Sequence, residues 1–381
     1  MLRDPRMKAT ARIIVRHALK VKPGAKVMID ALDECEELTI AVTDALNEAG
    51  ALPYFIHESI RVRANWLKCA TKEQMDLWFK HKVAARREMD HVLQIRGQDN
   101  WSELAEVPPE NLRYFGHLHI RMGREGRKDG ANTTIIRYPS KSLAQQGGMS
   151  TDAFTNLYFK LSTMNFRTLH REMEPLKDAI DNANDVRIVA PGTDLTFSIA
   201  GLTTNISAGT WNIPDGETAM TIVRDSPNGR IAYNVPSSHQ GLVFRDIALT
   251  FKNGKVVKVE ADEREKVEAI LDTDEGARYI GEFAIGVNPY LRRHMIDTLF
   301  DEKMAGSLHF TPGGTDSNGK LSNVHWDIVQ SHLPPYSGGE IHLDGKLWRK
   351  DGQFVDKKLE RLNPDALQAI LDNDDTTGSW C

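Results

Sequence analysis

Cysteine is scarce in this chain. Cys35, Cys69 and Cys381 are odd in number and far apart. That excludes a disulfide framework and fits a reducing compartment. Long apolar runs are also missing, and none approaches the roughly 20 residues of a membrane-spanning helix. The opening MLRDPRMKATARIIVRHALKV is charged throughout and lacks the apolar centre of a secretory leader. There is no basic excess: 48 Lys and Arg stand against 53 Asp and Glu, a formal net charge of −5. Nucleic acid is therefore not an expected partner. No G-x-G-x-x-G follows the first expected strand, AKVMIDALDEC, so no dinucleotide-binding domain is read. Solenoid repeats and low-complexity segments are absent. These absences leave a cytoplasmic globular protein with no membrane partner.

What is present points to two domains. A chain of 381 residues, 40% hydrophobic and 27% charged, exceeds one small core. In residues 6–20, Ile13, Ile14, Ala18 and Leu19 fall at helical spacing. A Val21–Gly24 turn leads to AKVMID, a buried strand. Asp33 to Gly50 reads as a helix with Ile40, Ala41, Ala45 and Leu46 inward and Gly50 as its stop. ALPYFIHES is a strand, 72–89 a helix and HVLQIRG a strand. YFGHLHIRM and TTIIRYPS read as two more short strands. This alternation predicts an open, mostly parallel α/β sheet. Residues 150–183 read as one long helix, capped near Ser150, Thr151 or Asp152, with Phe154, Leu157, Leu161, Met164 and Leu169 on its apolar side. After Ala183 the texture becomes short strands with turns at Asn253-Gly254, Asp344-Gly345 and Asp351-Gly352. The expected organisation is an N-terminal open α/β domain, 1–184, and a β-rich α+β metal-binding domain, 185–381.

The candidate chemistry gathers in DEKMAGSLHFTPGGTDSNGKLSNVHWD, residues 301–327. Glu302, His309, His325 and Asp327 are hard or borderline ligands suited to Zn, Mn, Co or Fe(II). The Gly313-Gly314 and Asn318-Gly319 turns let the backbone fold back. In an extended His-Trp-Asp, His325 and Asp327 share a face and Trp326 points away. Glu217 in WNIPDGE and Glu282 in YIGEFAIGVNP each follow a glycine and add carboxylates. Converging carboxylates repel unless cations neutralise them. Six ligands suit two divalent ions with a bridging group rather than one tetrahedral ion. Elsewhere, His117 and His119 would share a strand face, and His239 sits in a loop near a possible substrate. Asp194 reads as a turn buttress or a partner of a ligand histidine. Arg292 and Arg293 are candidate binders of a substrate carboxylate.

WNIPDGE, GTDLTFSIAG, GEFAIGVNP, DEKMAGSLHF and SNVHWDIV, with a late DGKLWRKDGQF, resemble the aminopeptidase T-like family of thermophilic metallo-aminopeptidases. The resemblance is strongest over residues 185–355. The first half is similar in layout, with its KPGAKVMI opening and RYPS before a helix near GGMST. The resemblance implies an α/β domain, a β-rich metal domain and a homodimer. It implies Glu217, Glu282, Glu302, His309, His325 and Asp327 as ligands of two Zn, Co or Mn ions. Glu282 would also be the general base in cleaving a small peptide or amide substrate. One position departs: peptidase members carry a catalytic tyrosine seven residues after the first motif histidine, and here that offset gives Asp316. Some relatives are mononuclear Fe(II) 2,5-dihydroxypyridine 5,6-dioxygenases. The alternative expectation is such a ring-cleavage enzyme, using His309, His325 and Asp327.

Overall fold

The protein is described from a computed structural model that covers residues 4–239 and 241–374. Cys381 lies outside the described residues; Cys35 is buried and Cys69 exposed, and neither is in a disulfide.

The first half builds a parallel sheet with helices packed on it. Helix α1 (Pro5–Ile13) carries proline in its first turn and is capped by the Asp4 side chain. Strand β1 (Lys26–Asp33) is followed by α2 (Glu36–Glu48), β2 (Leu52–Glu58), α3 (Ile60–Leu67) and α4 (Lys72–Arg87). Thr71 and Gln74 close a reciprocal capping box at the start of α4. Strand β3 (His91–Gly97), α5 (Pro109–Glu125) and β4 (Asn132–Arg137) complete the set. The order is β2-β1-β3-β4, and each neighbouring pair is parallel. The middle of β1 is covered on both faces, which is why KVMIDALD shows almost no polar alternation. The open parallel sheet expected from the sequence is present.

Two expected elements change. YFGHLHIRM is not a strand but the middle of α5. Its buried residues Phe115, Leu118 and Met122 fall three and four apart, and Pro109 starts the helix. The His-x-His alternation is therefore incidental, and the two rings do not share a face. Residues 150–183 are not one helix. After α6 (Lys141–Gln146), α7 (Thr151–Ser162) ends, and α8 (Phe166–Asp181) begins on Asn165, whose side chain accepts from the Arg167 and Thr168 amides. An N-cap residue inside the stretch restarts the helix.

The second half is antiparallel. Its strands are β5 (Asp185–Ala190), β6 (Thr193–Ser198), β7 (Asn205–Ser207), β8 (Asn212–Ile213), β9 (Glu217–Met220), β10 (Asn228–Ala232), β11 (Ser237–His239), β12 (Leu242–Phe244), β13 (Ala248–Lys252) and β14 (Lys255–Glu260). Helix α9 (Arg264–Leu271), β15 (Ile280–Gly286), α10 (Thr298–Asp301), β16 (Ser307–Thr315), β17 (Leu321–His325) and β18 (Ile328–Ser331) follow. The described chain ends with β19 (Glu340–Leu343), β20 (Lys346–Lys350), β21 (Gln353–Phe354) and α11 (Pro364–Asn373). One sheet runs β14-β13-β10-β6-β5-β19-β20-β21, a second runs β17-β16-β15-β9-β7 with β18 also on β16, and β11 and β12 pair as a two-stranded ribbon. Asn253, Asp344 and Asp351 all have positive φ and each precedes a positive-φ glycine, the two-residue hairpin turns expected at those positions.

Phe197 of β6 meets Phe283 and Phe310 of β15 and β16 edge-on, with centroids 5.0 and 5.2 Å away. That contact joins the two larger antiparallel sheets. The same buried cluster contains Ile29, Leu93 and Phe166 of the first half and Leu367 of α11, so the core runs across residue 184. Strand β8 returns to the first sheet beside β4. Among the described residues, no helix is long and apolar enough to cross a membrane.

His332 lies fully buried behind β18, its Nε2 2.9 Å from Gln330 Oε1. Burial, reinforced by Arg349, pushes its pKa down to about 3. The folded protein therefore keeps this ring neutral where the unfolded chain already binds a proton. Its stabilising contribution is present above the ordinary histidine value and is lost as pH falls toward the folded value. Between pH 7 and 5 the wild type should lose about 2 kcal/mol through this group, and His332→Gln should not. Denaturant unfolding of both proteins at the two pH values measures the difference. Identical pH dependence would show that His332 does not titrate in this way.

Candidate metal centre

The register of three strands decides which side chains meet. On β15, Glu282 opposes Thr311 of β16, and Ala284 opposes His309 of β16 and Ala219 of β9. Gly286 opposes Glu217. With a period of two, Glu217, Glu282, His309 and Thr311 project from one face. Met220, Phe283 and Phe310 project from the other, into the core. A register shift between Ile280 and Glu282 marks a bulge at Gly281. A Cβ at Gly281 would lie 2.1 Å from the Gly313 carbonyl oxygen, so only glycine fits there. Bulges re-aim the adjoining side chain, here Glu282. At the end of β17, His325 faces the site. Trp326 turns away, fully buried, donating from Nε1 to Ser237 Oγ at 2.8 Å and packing against His239 and Phe244. Asp327 then returns to the site side.

Glu282, His309 and Asp327 each offer a ligand atom, all within 4.8 Å of one another. His309 Nε2 is 3.3 Å from Glu282 Oε1, and His325 Nε2 is 3.3 Å from Asp327 Oδ1. The Thr311 hydroxyl donates to Asp327. Burial opposes charge on His309, but Glu282, Glu217, Asp327 and Glu302 outweigh it and lift its pKa to about 9. The Asp327 carboxylate likewise raises His325. Burial alone would raise Asp327, yet His325 and His309 hold it below the usual carboxylate range. The site thus carries a negative field that calls for a cation. Two carboxylates with one or two imidazoles fit a divalent transition metal.

The other two expected ligands sit differently. Glu217 and Glu302 are buried, and both pair with the fully buried Lys303 ammonium. Glu302 Oε1 is 2.7 Å from Lys303 Nζ and Asp215 Oδ1 is 3.8 Å away. Burial works against the Lys303 charge, but Glu217, Glu302 and Asp215 outweigh it and hold its pKa well above that of ordinary lysine. Burial also presses Glu302 toward its neutral form; with the ammonium so close, the ionised pair prevails. Burial pushes the Asp215 carboxyl up to about 7 despite Lys303. Two buried atoms, Glu217 Oε2 and His309 Nδ1, have no hydrogen-bond partner and face each other at 3.8 Å.

A cavity of about 700 Å³ opens over this cluster. Its walls include Glu217, Glu282, Glu302, His325 and Asp327, and also Gln94, Arg96 and Arg137 from the carboxyl-end halves of β3 and β4. Ligands in open α/β sheets gather at that edge. Sequence reasoning missed Lys303, Asp215, Thr311 and these three residues. Lys303 adjoins Glu302 in DEKM, and Thr311 shares the strand period of His309; for Gln94, Arg96 and Arg137 the strand end was the one signal.

The remaining candidates are accounted for elsewhere. His117 Nδ1 is 2.5 Å from Asn323 Oδ1, and His119 packs on Phe115 and Trp78. His239 stacks on Trp326 rather than entering the cluster. Asp194 makes an exposed two-point pair with Arg187 and buttresses no ligand histidine. Arg292 is held by Asp365 and Gln368, and Arg293 is exposed. Asp316 is a loop residue: it pairs with Arg224 at 2.6 Å and accepts the Asn318 and Lys320 amides. It is not among the residues that line the cavity over the cluster.

Residues 3–319 match the thermophilic metalloprotease family, M29. The chain belongs to this M29 family. It is a metallo-aminopeptidase-like enzyme, and the match includes Glu217, Glu282, Glu302 and His309. The M29 chain is 32% identical over 340 residues to aminopeptidase T of Thermus thermophilus, covering 79% of this chain and 83% of that protein. Aminopeptidase AmpS of Bacillus subtilis is 28% identical over 152 residues, 35% of this chain and 37% of its own length. The structure of Thermus thermophilus AmpT superposes with a TM-score of 0.76 at 21% identity, covering 92% of this chain and 99% of that one. A 2,5-dihydroxypyridine dioxygenase from Pseudomonas putida has the same fold at TM-score 0.58 and 11% identity, covering 93% and 98%.

Gly281→Ala should weaken divalent-metal binding by about tenfold or more, by displacing Glu282 through the bulge. Calorimetric metal titration, with circular dichroism to verify folding, measures it. Unchanged affinity in a folded variant would detach Glu282 from the bulge.

Proposed function

We propose that this M29 enzyme is a metal-dependent hydrolase that cleaves an amide or peptide bond in a small substrate, as an aminopeptidase or a related amidohydrolase. The observation that carries the reading is the convergence of Glu282, His309 and Asp327 under one cavity, with His325 at its rim. These residues would hold a Zn, Co or Mn ion. Bound there, a divalent ion polarises a carbonyl and lowers the pKa of water. Glu282 is the least buried of the three, with its side chain 29% exposed, so its carboxylate would serve both a bound ion and the cavity. That position suits it to take and return the proton as general base. Thr311 fixes the Asp327 carboxylate, and Asp327 orients His325. A cavity of about 700 Å³ suits a small substrate. The two-ion arrangement expected from six ligands requires Glu217 and Glu302 to be free of other cations, and Lys303 engages both.

A homodimer in a reducing, cytoplasmic setting belongs to this proposal. It is supported by the exposed Leu52, Tyr54 and Phe55 on the edge strand β2 and by the free Cys35 and Cys69. A second reading is the Fe(II) ring-cleavage enzyme. The observation behind it is that His309 and Asp327 lie in one ligand group with Glu282, and His325 Nε2 is 3.3 Å from Asp327.

Glu282→Gln should abolish turnover while sparing the fold. Asp327→Ala should lower metal affinity by about 100-fold or more, and His342→Ala, whose ring pairs with Glu340 on β19, should not. Saturating metal should raise the melting temperature of the wild type and His342→Ala but not of Asp327→Ala. Metal titrations with thermal melts and peptide-hydrolysis assays check all three proteins. Equal affinity loss in Asp327→Ala and His342→Ala would overturn the ligand set. Iron at one equivalent with oxygen-dependent ring cleavage and no hydrolysis would favour the second reading.

A further inference from the structure

We propose that the Lys303 ammonium is a built-in cation that occupies the second cation position of this centre, so that each chain binds one divalent ion. The inference rests on the metal-site reading above and specifies its stoichiometry. Lys303 is fully buried, which a charged lysine rarely tolerates without anionic partners. Those partners are Glu217 and Glu302, with Asp215 at 3.8 Å. Two of them, Glu217 and Glu302, are residues whose carboxylates a second ion would need. Glu217 also faces His309 through its other oxygen. The ammonium is therefore one carboxylate removed from the Glu282–His309–Asp327 group.

The backbone holds Lys303 in place. Its amide donates to the Phe300 carbonyl at 3.1 Å, and its carbonyl accepts the Asn288 amide at 2.9 Å. The Asn288 side chain donates to the Asp215 carbonyl at 2.7 Å, tying the lysine segment to the loop before Glu217. Charge balance points the same way. With Asp215 pushed toward its neutral form by burial, Glu217, Glu282, Glu302 and Asp327 are met by one lysine and one dication with a single negative charge left. A second dication beside the lysine would turn the surplus positive and place like charges on one carboxylate. An ammonium supplies charge but no vacant coordination position. Glu217 and Glu302 become positioning residues, and a substrate meets one Lewis acid rather than two.

Metal stoichiometry tests this without an activity assay. Full-length protein is stripped with chelator, saturated with Zn²⁺ or Mn²⁺, desalted and measured by elemental analysis. One equivalent in the wild type, rising to two in Lys303→Met, is the expected result. Two equivalents in the wild type, or one in a folded Lys303→Met, would overturn it. If Lys303→Met does not fold, Glu302→Gln decides: retention of one equivalent supports the inference, and loss of the ion overturns it by making Glu302 a ligand. A wild type that binds no ion, or a single equivalent that survives Asp327→Ala, instead sinks the underlying metal-site reading.

Discussion

Buried negative charge is the constraint on which this centre depends. Asp215, Glu217, Glu302 and Asp327, from distant parts of the second half, are all removed from water around one site. Carboxylates in such a setting either take up protons or gather cations. The fold supplies cations of two kinds. Lys303 is placed among Asp215, Glu217 and Glu302, and the imidazoles of His309 and His325 are placed against Glu282 and Asp327. The second pairing is open to replacement by a metal because imidazoles can lose their protons. The first is not, because a buried ammonium has nowhere to go.

The charges are held apart by backbone rather than by side-chain packing. Strand pairing among β9, β15 and β16 sets Glu217, Glu282 and His309 on one face at fixed spacing. The opposite face of the same strands buries Phe283 and Phe310 against Phe197. A slip of one residue would exchange the acids with the aromatics and is forbidden by both. The Gly281 bulge makes the one local adjustment that the strand period does not provide.

Much of this was legible from the chain. The strand–helix alternation announced the parallel sheet, and Asn-Gly and Asp-Gly pairs located three hairpins because those turns demand positive φ. The alternation in His-Trp-Asp correctly separated Trp326 from its neighbours. Other features were hidden for physical reasons. Lys303 drew no reading, since burial of a lysine depends on partners distant in sequence. In 109–125 the His-x-His spacing mimicked a strand, while the three-and-four spacing of Phe115, Leu118 and Met122 carried the true period. Asn165 was an N-cap lying within an otherwise continuous apolar pattern. The cavity wall formed by Gln94, Arg96 and Arg137 is a product of how the halves meet, and beyond the strand end no local pattern encodes it.

The return of β8 to the first sheet has a mechanical consequence. Residues 210–213 are fastened to β4, with the Trp211 carbonyl accepting the Ile135 amide at 2.8 Å and the Thr210 carbonyl accepting the Thr134 hydroxyl at 2.7 Å. Four residues beyond Ile213, the same strand of chain enters β9 at Glu217. The two walls of the cleft are thus stitched together beside the acid cluster. Opening them like a clam would tear the stitch or drag Glu217 out of register. The spacing of the walls is therefore tied to main-chain contacts that lie only a few residues from Glu217.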